Sequence, residues 1–182
     1  MPLAQLSANH IGAQGGGYEP VFTNAFTIIF VGLEVFGNAG DLLSLNVQSV
    51  AFPKETTAVI EVPYRNEVRK FAGKTTFDDL QVQFIDYVDR AAAIVLRRWR
   101  KVCYDSQTGS IGRARDYKKR ARIEYGARDI ASIQNGEYRE QELRGVWLSQ
   151  YDGGDGDYGN DDVVRVSGTL TYDTLIDGRG LV

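Results

Sequence analysis

Cysteine, histidine and methionine are nearly missing from this chain, each occurring once in 182 residues. A lone Cys103 excludes an internal disulfide, and no charged-then-apolar leader opens the sequence, so synthesis in a reducing cytoplasm is expected. The only imidazole, His10, sits among small polar residues, which leaves any serine or cysteine nucleophile without a placed base. No apolar run approaches the length that crosses a bilayer, so no membrane insertion is expected. Charge of one sign is also missing: 21 basic against 24 acidic residues give a net charge of −3, which argues against a dedicated DNA-binding domain held by phosphate neutralisation. An enzyme is not expected, and neither is a cofactor or a resident metal.

What is present is one domain's worth of chain with strong strand signals. A domain of this size can bury about 70% of its unfolded surface without staples. Residues 1–20 are glycine-rich and carry no periodic apolar face, and read as a flexible arm; residues 21–182 read as a single β domain. "VFTNAFTIIFVGLEVFG" is aromatic and β-branched, as a buried strand is. "LLSLNVQSVAF" places Leu43, Leu45, Val47 and Ala51 on one side, and "TAVIEVPY" does the same with Ala58, Ile60, Val62 and Tyr64. Pro53 and Pro63 suit edge positions or a protruding hairpin, and "VRKFA" with "DDLQVQF" completes the first half. "YKKRARIEY" and "VVRVSGTLTY" alternate in the second half, the latter through Val164, Val166, Leu170 and Tyr172. Between them, "EQELRGVWLSQ" has Gly145 in its interior, where a bulge or a close backbone approach is expected.

One helix is expected from Asp89, a good N-cap, with an apolar stripe of Ala92, Val95, Trp99 and Val102 and an opposite face of Arg90, Arg97, Arg98 and Lys101. Many strands, one helix and no strand–helix alternation imply an antiparallel barrel or sandwich with the helix packed outside it, a mainly β, α+β class. Unpaired edges of such a sheet can template pairing with another copy.

Three motifs invite chemistry. "AGKTT" looks like the end of a phosphate loop, but Val68 stands where the first glycine belongs and a strand pattern, not a helix, follows. Adjacent Asp78 and Asp79 read as a capping or turn pair. "YDGGDGDYGNDD" offers Asp152, Asp155, Asp157, Asp161 and Asp162 as hard oxygens, yet counted from Asp155 the sixth position is Asn160 rather than glycine, so a solvated turn is the expectation. The basic helix face likewise reads as solvated, or as a surface meeting acid on a neighbouring subunit.

Taken in order, "NEVRKFAGKTTFDDLQVQFIDYVD", the helix "AAIVLRRWRKV", "DYKKRARIEYGARD", "LRGVWLSQYD" and "VVRVSGTLTYD" resemble the tail tube proteins of contractile-tailed bacteriophages, from about Phe22 to Tyr172. The most specific pieces are the turn at Ala72 to Asp79, with Gly73, Thr75, Phe77, Asp78 and Asp79, then Tyr117, Lys118 and Lys119, then Gly145 and Trp147, together with Trp99 of the helix. The resemblance implies a non-catalytic virion protein whose hexameric rings stack into the inner tail tube, the conduit for DNA ejection. It would be assembled in the host cytoplasm on a baseplate and around a tape-measure protein, with a tail sheath outside; DNA would pass without specific binding. Pro53, Lys54, Glu55 and Thr56 of "FPKETT", Arg97 and Arg98, and Asp155 and Asp157 become candidate contacts between rings or subunits. Two alternatives stand beside it: the tube of a contractile bacteriocin or protein-secretion machine, and a calcium-binding β module.

Overall fold

The computed structural model describes residues 23–33, 39–88, 92–126, 138–156, 158–159 and 161–178. The expected arm 1–20 and the Asp89 cap lie outside them. Two four-stranded antiparallel layers share one long strand. The first contains β1 (Phe26–Val31), β8 (Lys119–Tyr125), β9 (Arg139–Asp152) and β11 (Thr174–Asp177). The second contains β2 (Val47–Val50), β5 (Leu80–Ile85), β10 (Arg165–Thr171) and the distal half of β9. β9 serves both layers because it bends. Gly145, at φ +71°, is the extra residue between the Lys119↔Val146 and Arg120↔Arg144 pairs, so the expected bulge and the expected close approach are both there. A second irregularity at Ser149 turns the strand again, its hydroxyl donating to the Thr169 carbonyl at 3.0 Å.

The core lies where the layers and a helix converge. Alternation drives Ile28, Phe30, Ala121, Ile123 and Leu143 inward from the first layer, and Leu80, Val82, Phe84, Val166, Leu148 and Leu170 inward from the second. α2 (Ala92–Cys103) closes the core with Ala92, Val95, Leu96, Trp99 and Cys103, while Arg97, Arg98 and Lys101 stay exposed. Trp99 stands edge-on to Phe30, 6.2 Å between ring centres, and Phe30 meets Phe84 at 6.3 Å. Burial pushes the Cys103 thiol up, which suits an inert core thiol.

Several expectations are corrected. "LLSLNVQSVAF" is not one strand: α1 (Ala39–Asn46) precedes a short β2, burying Ala39, Leu43 and Asn46 at helical spacing and leaving Leu45 69% exposed. Three apolar residues two apart matched a strand period only by coincidence. The stripe of α2 runs through Leu96 and Cys103, with Val102 half-buried. Tyr117 belongs to a single helical turn, α3 (Ala114–Tyr117), rather than to β8, and Val164 is exposed ahead of β10. "VRKFA" pairs with "IEVPY" instead of "LQVQF", because the chain reverses at residues 65 and 66.

The outward face of the first layer is a charge lattice: Arg120, Arg122 and Glu124 of β8 stand opposite Arg144, Glu142 and Glu140 of β9. Hydrogen bonds from the Arg144 guanidinium, at 3.1 and 3.2 Å, hold the Glu142 carboxyl below the usual range. A depressed folded value means the pair stabilises above the ordinary carboxylate pKa and loses that contribution as pH falls through the folded one. A small stability difference between Glu142→Gln and the parent should therefore exist at neutral pH and close below about pH 4, read from urea midpoints.

Candidate assembly surfaces

β3 (Glu55–Tyr64) and β4 (Glu67–Phe77) form a two-stranded hairpin that leaves the body between β2 and β5. Proline 63 is tolerated because this ribbon has only one pairing edge in use. Register places Ile60 opposite Phe71, Val62 opposite Arg69 and Tyr64 opposite Glu67 on one face. Ile60, Val62, Tyr64 and Phe71 are 52%, 44%, 50% and 54% exposed, and Val59 and Val68 on the other face are exposed as well. The Arg69 guanidinium lies 4.3 Å from the Tyr64 ring centre, and Glu61 and Lys70 form an exposed ion pair at 3.4 Å. An isolated two-stranded ribbon is marginal in water, and clustered exposed apolar groups mark contact sites.

The stretch Gly73 to Asp79 is not a turn throughout, as expected, but the root of this hairpin. Gly73 sits at a bulge where a Cβ would press on the Ala58 carbonyl and the Ile60 side chain. Thr57 and Thr75 join hydroxyls at 2.9 Å, and only Asp78 and Asp79 turn the chain into β5. The Asp78 N–H donates to the Lys54 carbonyl at 3.0 Å, which also accepts the Tyr172 hydroxyl at 3.4 Å. Phe77 packs on Tyr172 at 5.6 Å, and the Thr171 hydroxyl donates to the Asp79 carboxylate at 2.8 Å. Burial pushes the Tyr172 phenol up. Pro53, Lys54, Glu55 and Thr56 are thus the stem of the hairpin rather than its tip; the stem is anchored to β10 and the tip is free to engage a partner.

The remaining motif residues converge on a second point. The Trp99 indole N–H donates to the Tyr117 carbonyl at 2.8 Å, the Tyr117 ring lies edge-on to Trp147 at 5.8 Å, and Lys118 Nζ reaches both Asp173 carboxylate oxygens at 2.8 and 2.7 Å. Lys119 pairs beside the bulge with Val146. The Asp173 N–H donates to the Arg144 carbonyl, and a Cβ at Gly145 would overlap the Asp173 carboxylate. Residues scattered from 99 to 173 therefore clamp α2, α3, β9 and the β10–β11 corner. Tyr172, read in the sequence only as one of an alternating strand set, and Asp173 carry the two clusters; Asp173 escaped the sequence reading, since an aspartate after a strand looks like any turn residue. Gly145→Ala should cost about 2–4 kcal/mol through its left-handed backbone and the collision with Asp173, a melting point roughly 5–15 °C lower by calorimetry.

The charged candidates are less converged. Arg97 is engaged within the chain, donating to the Tyr151 hydroxyl at 3.3 Å, in a shallow cleft of about 270 Å³ with Arg100, Lys101, Tyr104 and Asp105. Arg98 is exposed. Asp155 is exposed and Asp157 lies outside the described residues. Asp152 caps its own turn through the Gly154 N–H, and the Arg165 guanidinium beside Asp162 holds that carboxyl below the usual range. Among the described residues, no group of three acidic, cysteine or histidine side chains could hold a metal ion.

Neither a protein-family model nor a curated protein matches this sequence. Solved structures do match. A chain of the sheath–tube complex of an extracellular contractile injection system, PVC, aligns with a TM-score of 0.65 at 13% identity over 95% of this chain and 98% of its own. A chain of the tube-terminating cap of the anti-feeding prophage gives 0.65 at 12% identity, covering 89% and 93%. The SPP1 tail tube gives 0.52 at 10% identity, covering 90% and 81%. The mainly β, antiparallel architecture is thus the tube-subunit fold of contractile injection systems and phage tails.

Proposed function

We propose that this protein is a structural tube subunit, whose hexameric rings stack into the hollow inner tube of a contractile phage tail and conduct DNA. The observation that carries the reading is the exposed apolar β3–β4 ribbon, rooted by Phe77, Asp78 and Asp79 on a body with the tube-subunit fold. Identical heterologous contacts generate rings or filaments, so one ribbon per subunit seated on the next ring suffices to propagate a tube. Tail sheath outside, baseplate at the start and tape-measure protein within are the partners of such an assembly, and the virion tail is its place. The role is non-catalytic. The exposed Arg98 and the acidic Asp155 segment supply further contacts between neighbouring subunits.

A second reading, the tube of a contractile bacteriocin or protein-injecting machine, draws on the higher likeness to the PVC chain than to the SPP1 tail tube. Negative-stain electron microscopy of the purified protein across a concentration series, with and without baseplate, tests the common part. Stacked rings or hollow tubes are expected; a protein that stays monomeric under both conditions refutes it. Genome-filled heads on tailed particles carrying this subunit separate the phage from the headless machine.

A further inference from the structure

We infer that the acidic loop between β9 and β10 seats in the basic cleft between α2 and β9 of the neighbouring copy in a ring, as a charge-coded lateral contact. The inference rests on the tube reading above and gives each of two charged surfaces its counterpart.

The cleft has a surplus of positive charge. Arg97, Arg100 and Lys101 line it with Tyr104 and Tyr151, against a single carboxylate, Asp105. Asp105 stands 3.9 Å from Lys101 and also accepts the Gln107 N–H at 3.1 Å, so the two guanidinium groups keep their charge for a ligand. Arg97 is oriented before any ligand arrives: its Nε donates to the Tyr151 hydroxyl at 3.3 Å, and its guanidinium lies 5.5 Å from the Tyr151 ring centre. A guanidinium already held in place loses little side-chain freedom on meeting a carboxylate. Residues 152–162 are the complement, with five aspartates and no basic residue. Asp152 is engaged by the Gly154 N–H and Asp162 by Arg165, while Asp155 and Asp161 are exposed and make no ion pair among the described residues.

The course of the loop makes the occupant a second copy rather than the same chain. The loop begins beside the cleft, where a Cβ on Gly153 would lie 3.8 Å from an Arg97 terminal nitrogen. It ends on the far side of the layer, where Arg165 bonds Asp162 at 2.6 Å and Gln48 of β2 at 2.9 Å, so the acidic end is drawn towards β2. Cleft and acidic end therefore flank the β2–β5–β10–β9 layer on its β9 and β2 sides. Register puts both at the same end of the strands, with Asp152 opposite Ser167, Arg165 opposite Ile85 and Val47 opposite Phe84. Among the described residues no strand pairs with the outer side of β2, or with residues 147–152 of β9 on the side away from β10. A rotation that closes a ring brings the β2 side of one copy against the β9 side of the next at equal height. The acidic end of one loop then faces the next copy's cleft, and the alternation repeats round the ring. Opposite charges so placed set partner choice and salt dependence more than raw affinity.

The test uses two full-length variants, Arg97→Glu/Lys101→Glu in the cleft and Asp155→Lys/Asp161→Lys in the loop. All four positions are exposed, so both melting curves should match the parent's. Each variant alone sets like charge against like at every lateral contact, and should need at least about tenfold more protein than the parent to form rings, counted by negative-stain electron microscopy. Mixed in equal amounts they should form rings at the parent's concentration, because alternating copies restore an opposite pair at every contact of an even-numbered ring. A contact within one chain cannot be repaired by mixing. Rings from each variant alone at the parent's concentration leave the cleft to a different acidic partner and overturn the inference, as does a mixture that assembles no better than its components. If a reversal unfolds the chain, Arg97→Gln/Lys101→Gln and Asp155→Asn/Asp161→Asn replace it. Each should flatten the salt dependence of ring formation equally, and the two combined no further; a salt dependence like the parent's overturns the inference. Parent protein that forms no rings, with or without baseplate, overturns the tube reading itself and this contact with it.

Discussion

Trp99→Ala should unfold this protein more readily than any other single change, lowering stability by about 3–5 kcal/mol in urea titration. The side chain is fully buried, and its loss opens a cavity against Phe30 at the meeting point of both layers and α2. It also strands the Tyr117 carbonyl, whose indole donor sits at 2.8 Å. A half-buried acceptor left without its donor adds to the cavity cost. Trp99→Phe separates the two: it should recover most of the packing and leave a deficit of about 1–2 kcal/mol from the missing N–H. A Trp99→Ala protein as stable as the parent would mean the clamp around Tyr117 does not depend on this residue.

Ile60→Thr with Phe71→Thr should do the reverse, leaving the monomer intact and abolishing assembly. Both residues keep their strand propensity as threonine, and neither touches the core. Fully burying Ile60 and Phe71 would contribute about 1.5–3 kcal/mol each, and about half is already realised in the free ribbon, leaving roughly 1.5–3 kcal/mol per hairpin from these two side chains. That is roughly a 10- to 150-fold weakening of every longitudinal contact. Summed around a ring it removes stacking altogether. The expected result is an unchanged melting curve with sedimentable tubes lost; normal tubes from this variant would exclude the ribbon from the ring-to-ring contact.

The two variants separate what folds the subunit from what joins subunits, and the separation follows the burial pattern. Core strands β5, β8 and β10 were legible because one face is buried and the other wet, so alternation survives in the letters. The hairpin alternates too, but its apolar residues face no core, and only the coordinates distinguish a strand that folds the chain from a ribbon that stands clear of the core. At α1, burial at positions 39, 43 and 46 came with packing on β1, the preceding strand, a tertiary contact that overrode a local strand pattern.

The sequence by itself determined the mainly antiparallel class, the amphipathic helix around Trp99 and the bulge at Gly145, because each depends on residue type and short-range period. It also carried the motif residues as a resemblance, without their purpose. Tertiary structure decided that purpose. Phe77 and Asp79 root a hairpin on Tyr172 and Thr171, nearly a hundred residues away, while Lys118 and Gly145 meet Asp173 and Tyr117 joins Trp99 to Trp147. Hydrogen bonds and ring contacts of that span obey no period along the chain. They exist only where the two layers, sharing one bent strand, bring those side chains within 3 Å of a partner.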